Sequence, residues 1–326
     1  MNSLYPLKFT PVFKEKIWGG QKVRTALGLD FAPLANCGEA WVLSGVPGSE
    51  TLVSNGFLEG NHLNELLEIY MDELVGEMVF QKHGELFPVL IKFIDSNDWL
   101  SVQVHPNDEL AVKRGLGGGK SELWYILEAE KGAEIITGFN KETDRESFLR
   151  HLDQKRLEEI LNREKVSPGD AFYMPAGRIH ALGPGILLAE IQQTSDTTYR
   201  IYDWDRVDGN GKARELHTEL ALDAIDFGLH ESYRSRYRSE SNKPAALAHT
   251  PHFNTDIITL SQPVNRDYGI LDSFVVHLCV EGSYRLETEE STEQVGKGEA
   301  VLIPATTTEA RMVPSPGATV LEIYIL

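Results

Sequence analysis

The chain has little cysteine, few positive charges and no long apolar run. Cys37 and Cys279 are its only cysteines in 326 residues; they are too few and too far apart for a disulfide framework, which fits a reducing compartment. Lysine and arginine number 31 against 49 acidic residues, a net charge of −18, which argues against a broad nucleic-acid or membrane-binding surface. The first ten residues lack the apolar block of a signal peptide. We expect a cytoplasmic protein with no nucleic-acid or membrane partner.

Short β-type segments separated by glycine and proline make up most of the chain. The clearest segments are residues 87–94, 185–191, 273–280 and 319–326. Such spacing favours a sandwich or a barrel, so we predict a mainly β protein.

Two segments have the helical period instead. The first begins at Leu63 with Asn61 as its expected cap, and the second begins at Thr143 with a capping-box pattern. Their apolar positions are Leu66, Leu67, Tyr70, Met71 and Leu74 in the first, and Phe148, Leu149, Leu152, Leu157, Ile160 and Leu161 in the second. We predict helical insertions over about 61–83 and 141–163.

A glycine–proline turn occurs twice with identical spacing. Residues 169–175 begin with glycine and end with proline, and residues 298–304 do the same. After the first copy come Gly177 and His180, whereas Thr306 and Glu309 stand at the matching places of the second. We interpret the copies as two related units, joined by the polar stretch 231–243.

Four side chains have the chemistry of a metal site. Gln103 and His105 alternate with valines, so they project from one face of a strand. Glu122 precedes the apolar run 123–127, and His180 ends the second pattern, GDAFYMPAGRIH. A lone histidine on a strand is more often structural, but this combination favours zinc or a similar divalent metal with one position left for substrate.

The segment Gly115–Ser121 (GLGGGKS) resembles a phosphate-binding loop but fails the test. Only three residues separate Gly115 from Gly119, and a strand rather than a helix is expected to follow. We therefore exclude nucleotide binding. Lys120 lies two residues before Glu122, and either a site residue or a solvated loop lysine fits that position.

The block Ala189–Arg206 concentrates charge among aromatic residues. Its charged members are Glu190, Asp196, Arg200, Asp203, Asp205 and Arg206. It could be an ion-pair network at a rim, or hold an arginine that binds a phosphate or an oxyanion. His249 and His252 have no evident acidic partner, so we expect them to be structural or exposed.

Together these motifs resemble a known family. The matching segments are KIWGG (16–20), GEAW (38–41), SVQVHP (101–106), GKSE (119–122), PAGRIH (175–180) and the block from Glu190 to Arg206. In this order they are similar to type I mannose-6-phosphate isomerases of the short bacterial form, over essentially the whole chain.

The resemblance implies two cupin (jelly-roll) barrels with a helical insertion. It implies a catalytic, metal-binding domain over 1–235 and a C-terminal cupin-like domain over 236–326 without metal ligands. It further implies one zinc ion per chain and an active-site arginine, Arg200. The zinc ligands it implies are Gln103, His105, Glu122 and His180. Longer members have His-Lys-Pro-Glu where this chain has Gly119–Glu122, so a role of that histidine is not carried over.

The expected reaction interconverts mannose 6-phosphate and fructose 6-phosphate through an enediol. Arg200 is expected to stabilise the developing negative charge, and Glu190 either to transfer the proton or to orient Arg200. Lys120, with Arg178, is the expected phosphate contact. The alternatives are a non-catalytic, metal-containing cupin that binds a sugar phosphate, and a metal-dependent oxygenase. A monomer or a homodimer fits the sequence equally.

Overall fold

A computed structural model describes residues 3–207 and 211–326. The described residues contain twenty strands, six α-helices and two short 3-10 turns. The strands are β1 (Leu7–Thr10), β2 (Val12–Lys14), β3 (Glu39–Leu43), β4 (Leu52–Val53), β5 (Val89–Ser96), β6 (Val102–Val104), β7 (Glu122–Ala129), β8 (Glu134–Phe139), β9 (Leu161–Lys165), β10 (Ala171–Met174), β11 (His180–Leu182), β12 (Ile186–Gln193), β13 (Tyr199–Tyr202), β14 (Pro244–His249), β15 (Asn254–Leu260), β16 (Val264–Asp267), β17 (Val275–Glu287), β18 (Thr292–Gly296), β19 (Ala300–Ile303) and β20 (Glu309–Tyr324). The helices are α1 (Lys22–Thr25), α2 (Leu63–Val75), α3 (Glu77–His83), α4 (Asp108–Lys113), α5 (Arg145–Asp153) and α6 (Thr218–Leu222).

The strands form three sheets, which confirms the mainly β prediction. A six-stranded sheet has the order β10-β7-β12-β5-β3-β2, and a five-stranded sheet has the order β13-β6-β11-β8-β9. The third sheet has nine strands and holds β14 to β20 together with β1 and β4. Within the described residues no ladder joins the six- and five-stranded sheets, so the predicted barrels are not closed by hydrogen bonds.

The six-stranded sheet is buried on both faces. On β5, Ile91 and Phe93 point into a core shared with the nine-stranded sheet. Ile94 points the other way, into a second core with Trp124 and with Leu182 of the five-stranded sheet. Because side chains alternate along a strand, Lys92 lies on the face of Ile94 and enters that second core. The functional site described below lies in this space.

The first strands of the chain belong to the C-terminal sheet. β1 pairs antiparallel with β19, with Leu7 opposite Leu302, and β4 pairs with β1. Sheet membership therefore crosses the predicted boundary at residue 235, because the pairing partner of β1 lies almost 300 residues away. The division at 235 stays a prediction.

The first helical segment forms as α2 and α3, with two differences from prediction. Residue 62 rather than Asn61 caps it, and the backbone N–H of His62 donates to Glu65 Oε2 at 2.8 Å. Met71 is 46% exposed rather than on the buried face, since its φ of 48° interrupts the helix. In the part of the chain that the structure describes, no helix combines the length and apolarity needed to cross a membrane.

The second helical segment is shorter than predicted. Asp144 caps α5 by accepting a hydrogen bond from the Ser147 N–H at 2.7 Å. The helix ends at Asp153, a 3-10 turn follows over Leu157–Glu159, and β9 begins at Leu161. The apolar residues at the end of the segment are buried as expected, but pairing of β9 with β8 replaces the helix there.

Candidate active site

Three short segments bring the predicted metal ligands together. His105 directly follows β6, Glu122 is the first residue of β7, and His180 is the first residue of β11. β6 and β11 are neighbours, with Gln103 directly opposite His180. One donor atom from each of His105, Glu122 and His180 lies within 4.8 Å of the others. All three side chains are at most 2% exposed.

Backbone carbonyls orient both imidazole rings. The Nδ1 atom of His105 lies 2.9 Å from the Thr197 carbonyl oxygen, and that of His180 lies 2.8 Å from the Arg178 carbonyl oxygen. A carbonyl can only accept, so each Nδ1 carries the proton and each Nε2 keeps its lone pair. These Nε2 atoms face Glu122, at 3.1 Å for His105 and 3.6 Å for His180.

The free donor atoms fit a metal ion. Among the described residues, His105 Nε2 and Glu122 Oε2 are buried without a hydrogen-bond partner, an arrangement that is costly unless something else binds there. The Gln103 amide completes the group, with Nε2 placed 3.4 Å from His180 Nε2. Two imidazoles, a carboxylate and an amide are a suitable ligand set for a divalent metal.

The protonation states suit the same purpose. Burial lowers the pKa of His105 to about 3 and also lowers the pKa of His180, so both rings are neutral near pH 7. Burial opposes ionisation of Glu122, but the Lys120 ammonium favours it, and the pKa of that carboxyl lies well below its usual range. Lys120 Nζ lies 3.2 Å from Glu122 Oε1. Neutral imidazoles and an anionic carboxylate are the forms that bind a metal.

Hydrogen bonds tie the ligand-bearing segments to one another. The Gly177 N–H donates to the His105 carbonyl at 2.9 Å, and the Ala176 N–H donates to Ser121 Oγ at 3.1 Å. The turn before His180 is thus fixed against the segments that carry both other ligands. The site is preorganised by its backbone.

A cavity of about 270 Å³ opens beside this group. Polar and charged side chains make up most of its wall. They are Lys16, Glu39, Lys92, Ser101, Gln103, Lys120, Glu122, Glu190, Asp196, Thr198, Arg200 and Arg214, and the apolar lining residues are Trp18, Ile94, Leu100 and Trp124.

Glu190 is held at the cavity wall by one hydrogen bond and one ion pair. Trp124 Nε1 donates to its Oε2 at 2.7 Å, and Lys92 Nζ lies 2.8 Å from its Oε1. Burial and the nearby Glu122 nevertheless raise the pKa of Glu190, despite the opposing charge of Lys92. Burial opposes the charge on Lys92, but Glu190 and Glu39 outweigh it and raise the pKa of Lys92. Lys92 therefore stays protonated, and Glu190 takes up a proton more readily than an ordinary glutamate.

Two arginines, Arg200 and Arg214, also line the cavity. Asp203 binds both Arg206 and Arg214, with Arg214 Nε 2.7 Å from Asp203 Oδ2. Arg200 donates from Nη1 to the Glu215 carbonyl at 2.9 Å. Within the described residues Arg200 forms no ion pair, and its Nε is buried without a partner. Burial and the nearby Arg214 lower the pKa of Arg200, so this group favours an incoming anion.

Comparison with known proteins identifies the family. Residues 6–143 match the family described as phosphomannose isomerase type I, catalytic domain. The mannose-6-phosphate isomerase ManA of Bacillus subtilis is 39% identical over 92% of this chain and 93% of its own length. The chain belongs to the type I phosphomannose isomerase family. The mannose-6-phosphate isomerase of Streptococcus mutans is 34% identical over the same shares of both chains.

The fold agrees with this family. The crystal structure of the mannose 6-phosphate isomerase from Bacillus subtilis superposes with a TM-score of 0.88 at 33% identity. The match covers 99% of this chain and 100% of that one. The arrangement of sheets and helices is therefore that of a phosphomannose isomerase.

Most of the expected site residues meet in one cavity. Gln103, Lys120, Glu190 and Arg200 line it together with Glu122. Arg178 does not: its guanidinium donates to the Tyr173 carbonyl at 2.8 Å and lies 4.9 Å from the centre of the Tyr233 ring. Arg178 contributes to the site through its carbonyl, which orients His180.

The position of the histidine found in longer phosphomannose isomerases has no room for a side chain here. That position is Gly119, and a Cβ atom placed on it would lie 2.6 Å from the Asp108 nitrogen and 2.9 Å from Asp108 Oδ1. Glycine is thus required by the path of the preceding segment.

Sequence reasoning assigned no role to several residues of the cavity, among them the charged residues Lys92, Glu39 and Arg214. Lys92 had a signal, because it is the single charge inside the apolar run 87–94 and is only 6% exposed. Glu39 lies in the GEAW motif that carries the family resemblance, 3.9 Å from Lys92 Nζ. Arg214 has no local pattern that marks it, and its place depends on its pairing with Asp203.

The prediction that His249 and His252 lack acidic partners is wrong. His249 Nε2 lies 2.8 Å from Asp256 Oδ1 on the adjacent strand, and His252 Nδ1 lies 3.6 Å from Asp108 Oδ2. The first partner is close in sequence but becomes adjacent only through strand pairing; the second is 144 residues away. Neither histidine lines the cavity.

Proposed function

We propose that this chain is a metal-dependent mannose-6-phosphate isomerase that interconverts mannose 6-phosphate and fructose 6-phosphate. The observation that carries this proposal is the convergence of free metal-binding atoms with an acid–base group and unpaired cationic charge in one cavity. Family membership supplies the substrate class, and the names of the relatives at 34% and 39% identity supply the substrate itself.

We assign zinc to the buried group. His105, Glu122 and His180 would hold it, with the Gln103 side-chain oxygen turned toward it as a fourth ligand. One carboxylate and three neutral ligands leave a net charge of about +1, and such an ion acts as a Lewis acid toward sugar oxygens. The carbonyls of Thr197 and Arg178 keep both imidazoles in the ligand tautomer.

Glu190 is the proposed proton-transfer group. A carboxylate that moves a proton between C2 and C1 through an enediol is a stronger base when its pKa is raised above the ordinary carboxyl value. The raised pKa and full burial of Glu190 support this role. Lys92 and Trp124 each contact one carboxylate oxygen of Glu190, so the carboxylate is held in one orientation. The rival role, orienting Arg200, has no direct contact to support it among the described side chains.

Arg200 is proposed to stabilise negative charge on the reacting sugar. Its free Nε and its lack of an ion-pair partner within the described residues leave donors available. Arg214 lines the same cavity and, with Lys120, would contact the phosphate. The Arg178 guanidinium contacts the Tyr173 carbonyl and the Tyr233 ring, which supports a structural role for Arg178.

We further propose that the six- and five-stranded sheets form one cupin (jelly-roll) unit and the nine-stranded sheet a second, with the metal in the first unit over 1–235 and none in the second over 236–326. Both cysteines are free and buried, in keeping with a cytoplasmic location.

A coupled assay tests the proposal. The purified protein is given mannose 6-phosphate and, separately, fructose 6-phosphate, and its metal content is measured on the same sample. Turnover in both directions with about one divalent ion per chain is the expected result. Bound metal and bound sugar phosphate without turnover would instead identify a non-catalytic cupin.

A further inference from the structure

The glycine-rich segment Gly115–Ser121 has a clear path but no role in the proposed mechanism apart from Lys120. It leaves the end of α4 and folds back along that helix to its beginning. Gly115 and Gly117 have φ of 69° and 81°, conformations that favour glycine. Gly119 packs directly against the first residue of α4, where no side chain fits.

Asp108 fastens this segment from the start of α4. Its Oδ1 accepts the Gly119 N–H at 2.7 Å and the Gln193 Nε2 donor at 3.0 Å. Its Oδ2 faces outward, 3.6 Å from His252 Nδ1. A carboxylate at the first turn of a helix usually serves the helix itself, but here one oxygen is used entirely by groups outside the helix.

Gln193 forms two hydrogen bonds with Ser121, further along the same segment. Its Oε1 accepts the Ser121 N–H at 2.9 Å, and its own N–H donates to the Ser121 carbonyl at 3.2 Å. Asp108 and Gln193 therefore hold Gly119 and Ser121, the two neighbours of Lys120. Lys120 itself is anchored by its N–H to the Pro106 carbonyl at 3.1 Å.

Glu122 does not depend on this fastening. It is the first residue of β7, where it pairs with Met174 on one side and Gln192 on the other. Loosening Gly119 would therefore shift Lys120, whose ammonium must stay in the cavity, while leaving the metal ligand in its sheet.

We propose that Asp108, together with Gln193, is a positioning residue that holds Lys120 in the active site through the Gly119 and Ser121 backbone. This inference rests on the proposed isomerase function. It assigns the glycine-rich motif a purpose: the glycines allow the chain to approach Asp108 closely enough for Oδ1 to bind the Gly119 N–H.

A double-mutant cycle between Asp108 and Lys120 tests the proposal. Asp108→Ala removes the acceptor, and we expect kcat/KM for mannose 6-phosphate to fall by about 10- to 100-fold, as for a displaced site group. Asp108→Ala and Lys120→Met should change the same kinetic parameter, either kcat or KM. In the Lys120→Met background, Asp108→Ala should lower kcat/KM by no more than about twofold, because coupled residues are not additive.

Two conservative variants serve as controls. Asp108→Asn keeps the accepting oxygen and should retain most of the activity. His252→Gln removes the group facing Oδ2 and should behave like the unmodified protein. Metal content should stay at the unmodified level in every variant. Effects of Asp108→Ala and Lys120→Met that simply multiply, or an Asp108→Asn loss as large as that of Asp108→Ala, would overturn the proposal.

Hydrogen exchange separates this proposal from the proposed function. The amides of residues 119–121 should exchange faster in Asp108→Ala than in Asp108→Asn, whether or not the protein turns over sugar phosphate. An inactive unmodified protein would refute the isomerase assignment alone. Unchanged exchange in Asp108→Ala would refute the fastening itself.

Discussion

The two halves of this molecule each bury a histidine and a glutamate inside β structure, with opposite results. In the C-terminal sheet, His277 Nδ1 lies 3.0 Å from Tyr284 Oη and its Nε2 lies 2.7 Å from Tyr268 Oη. Glu322 accepts from Tyr268 at 2.7 Å and from Arg266 Nε at 3.0 Å. Since Arg266 Nη2 also donates to Glu322 Oε1, every ring nitrogen and carboxylate oxygen of that pair has a partner.

The active-site group uses its hydrogen bonds differently. Each imidazole bonds a backbone carbonyl through Nδ1 alone. Within the described residues, His105 Nε2 and Glu122 Oε2 have no hydrogen-bond partner. Both groups are almost fully buried, so burial does not distinguish them. What distinguishes a metal centre from a polar core is the set of donor atoms left free.

Removal of the metal should produce the largest difference between the metal-site group and the His277 group. Dialysis against a chelator should abolish isomerase activity, since the active-site donors act through the ion, and added zinc should restore it. Hydrogen exchange of β17 and β20 should not change, because both ring nitrogens of His277 already have protein partners. Activity that survives complete loss of metal would break the comparison.

Arg200→Ala should follow in size. If Arg200 stabilises charge that develops in the transition state, kcat should fall by roughly 10²–10³-fold while metal content stays constant. Arg200→Lys should recover only part of the rate, because lysine keeps the charge without the planar fork. A raised KM with kcat intact would make Arg200 a phosphate anchor instead.

The C-terminal group should act on stability and not on turnover. Burial opposes ionisation of Glu322, but His277 and Arg266 outweigh it and lower the pKa of Glu322 to about 2 from an ordinary 4.5. Its stabilisation is present above pH 4.5 and is lost as pH falls toward 2, about 3 kcal/mol at most. Urea unfolding between pH 6 and pH 3 should show a smaller loss of stability in Glu322→Gln than in the unmodified chain. Equal losses in both proteins would contradict this account of Glu322.

Glu309→Gln should have the smallest effect. Glu309 stands where the first unit has His180 in the repeated pattern, but it is exposed at the start of β20. Metal content and kcat should be unchanged, and the free energy of unfolding should change by less than about 0.5 kcal/mol. Measurable loss of metal would show that the ion is bound in the C-terminal unit and not by His105, Glu122 and His180.

The sequence pointed to His105, Glu122 and His180 as neighbours, and the structure brings them together, whereas other long-range features were missed for physical reasons. His105, Glu122 and His180 stand beside glycine, proline and alternating valines, which fix local direction. Arg214 could not be found in this way, because only a long-range ion pair brings it to the cavity. The pairing of β1 with β19 also has no local signal.

Helix bounds failed for a related reason. The apolar period through Leu161 fits a helix, yet the same residues can be buried by a turn and a strand. Periodicity indicates which side chains are buried, but strand pairing with a distant segment can decide the backbone conformation. The buried polar group around His277 was missed because its five side chains come from three strands and a turn.

Metal content of two matched variants tests the central claim most directly. His105→Ala and His277→Ala each remove one buried imidazole, one with a free Nε2 and one with both nitrogens bonded. In folded protein of each, we predict almost no bound divalent ion in His105→Ala and about one ion per chain in His277→Ala. A full complement of metal in His105→Ala would contradict the account.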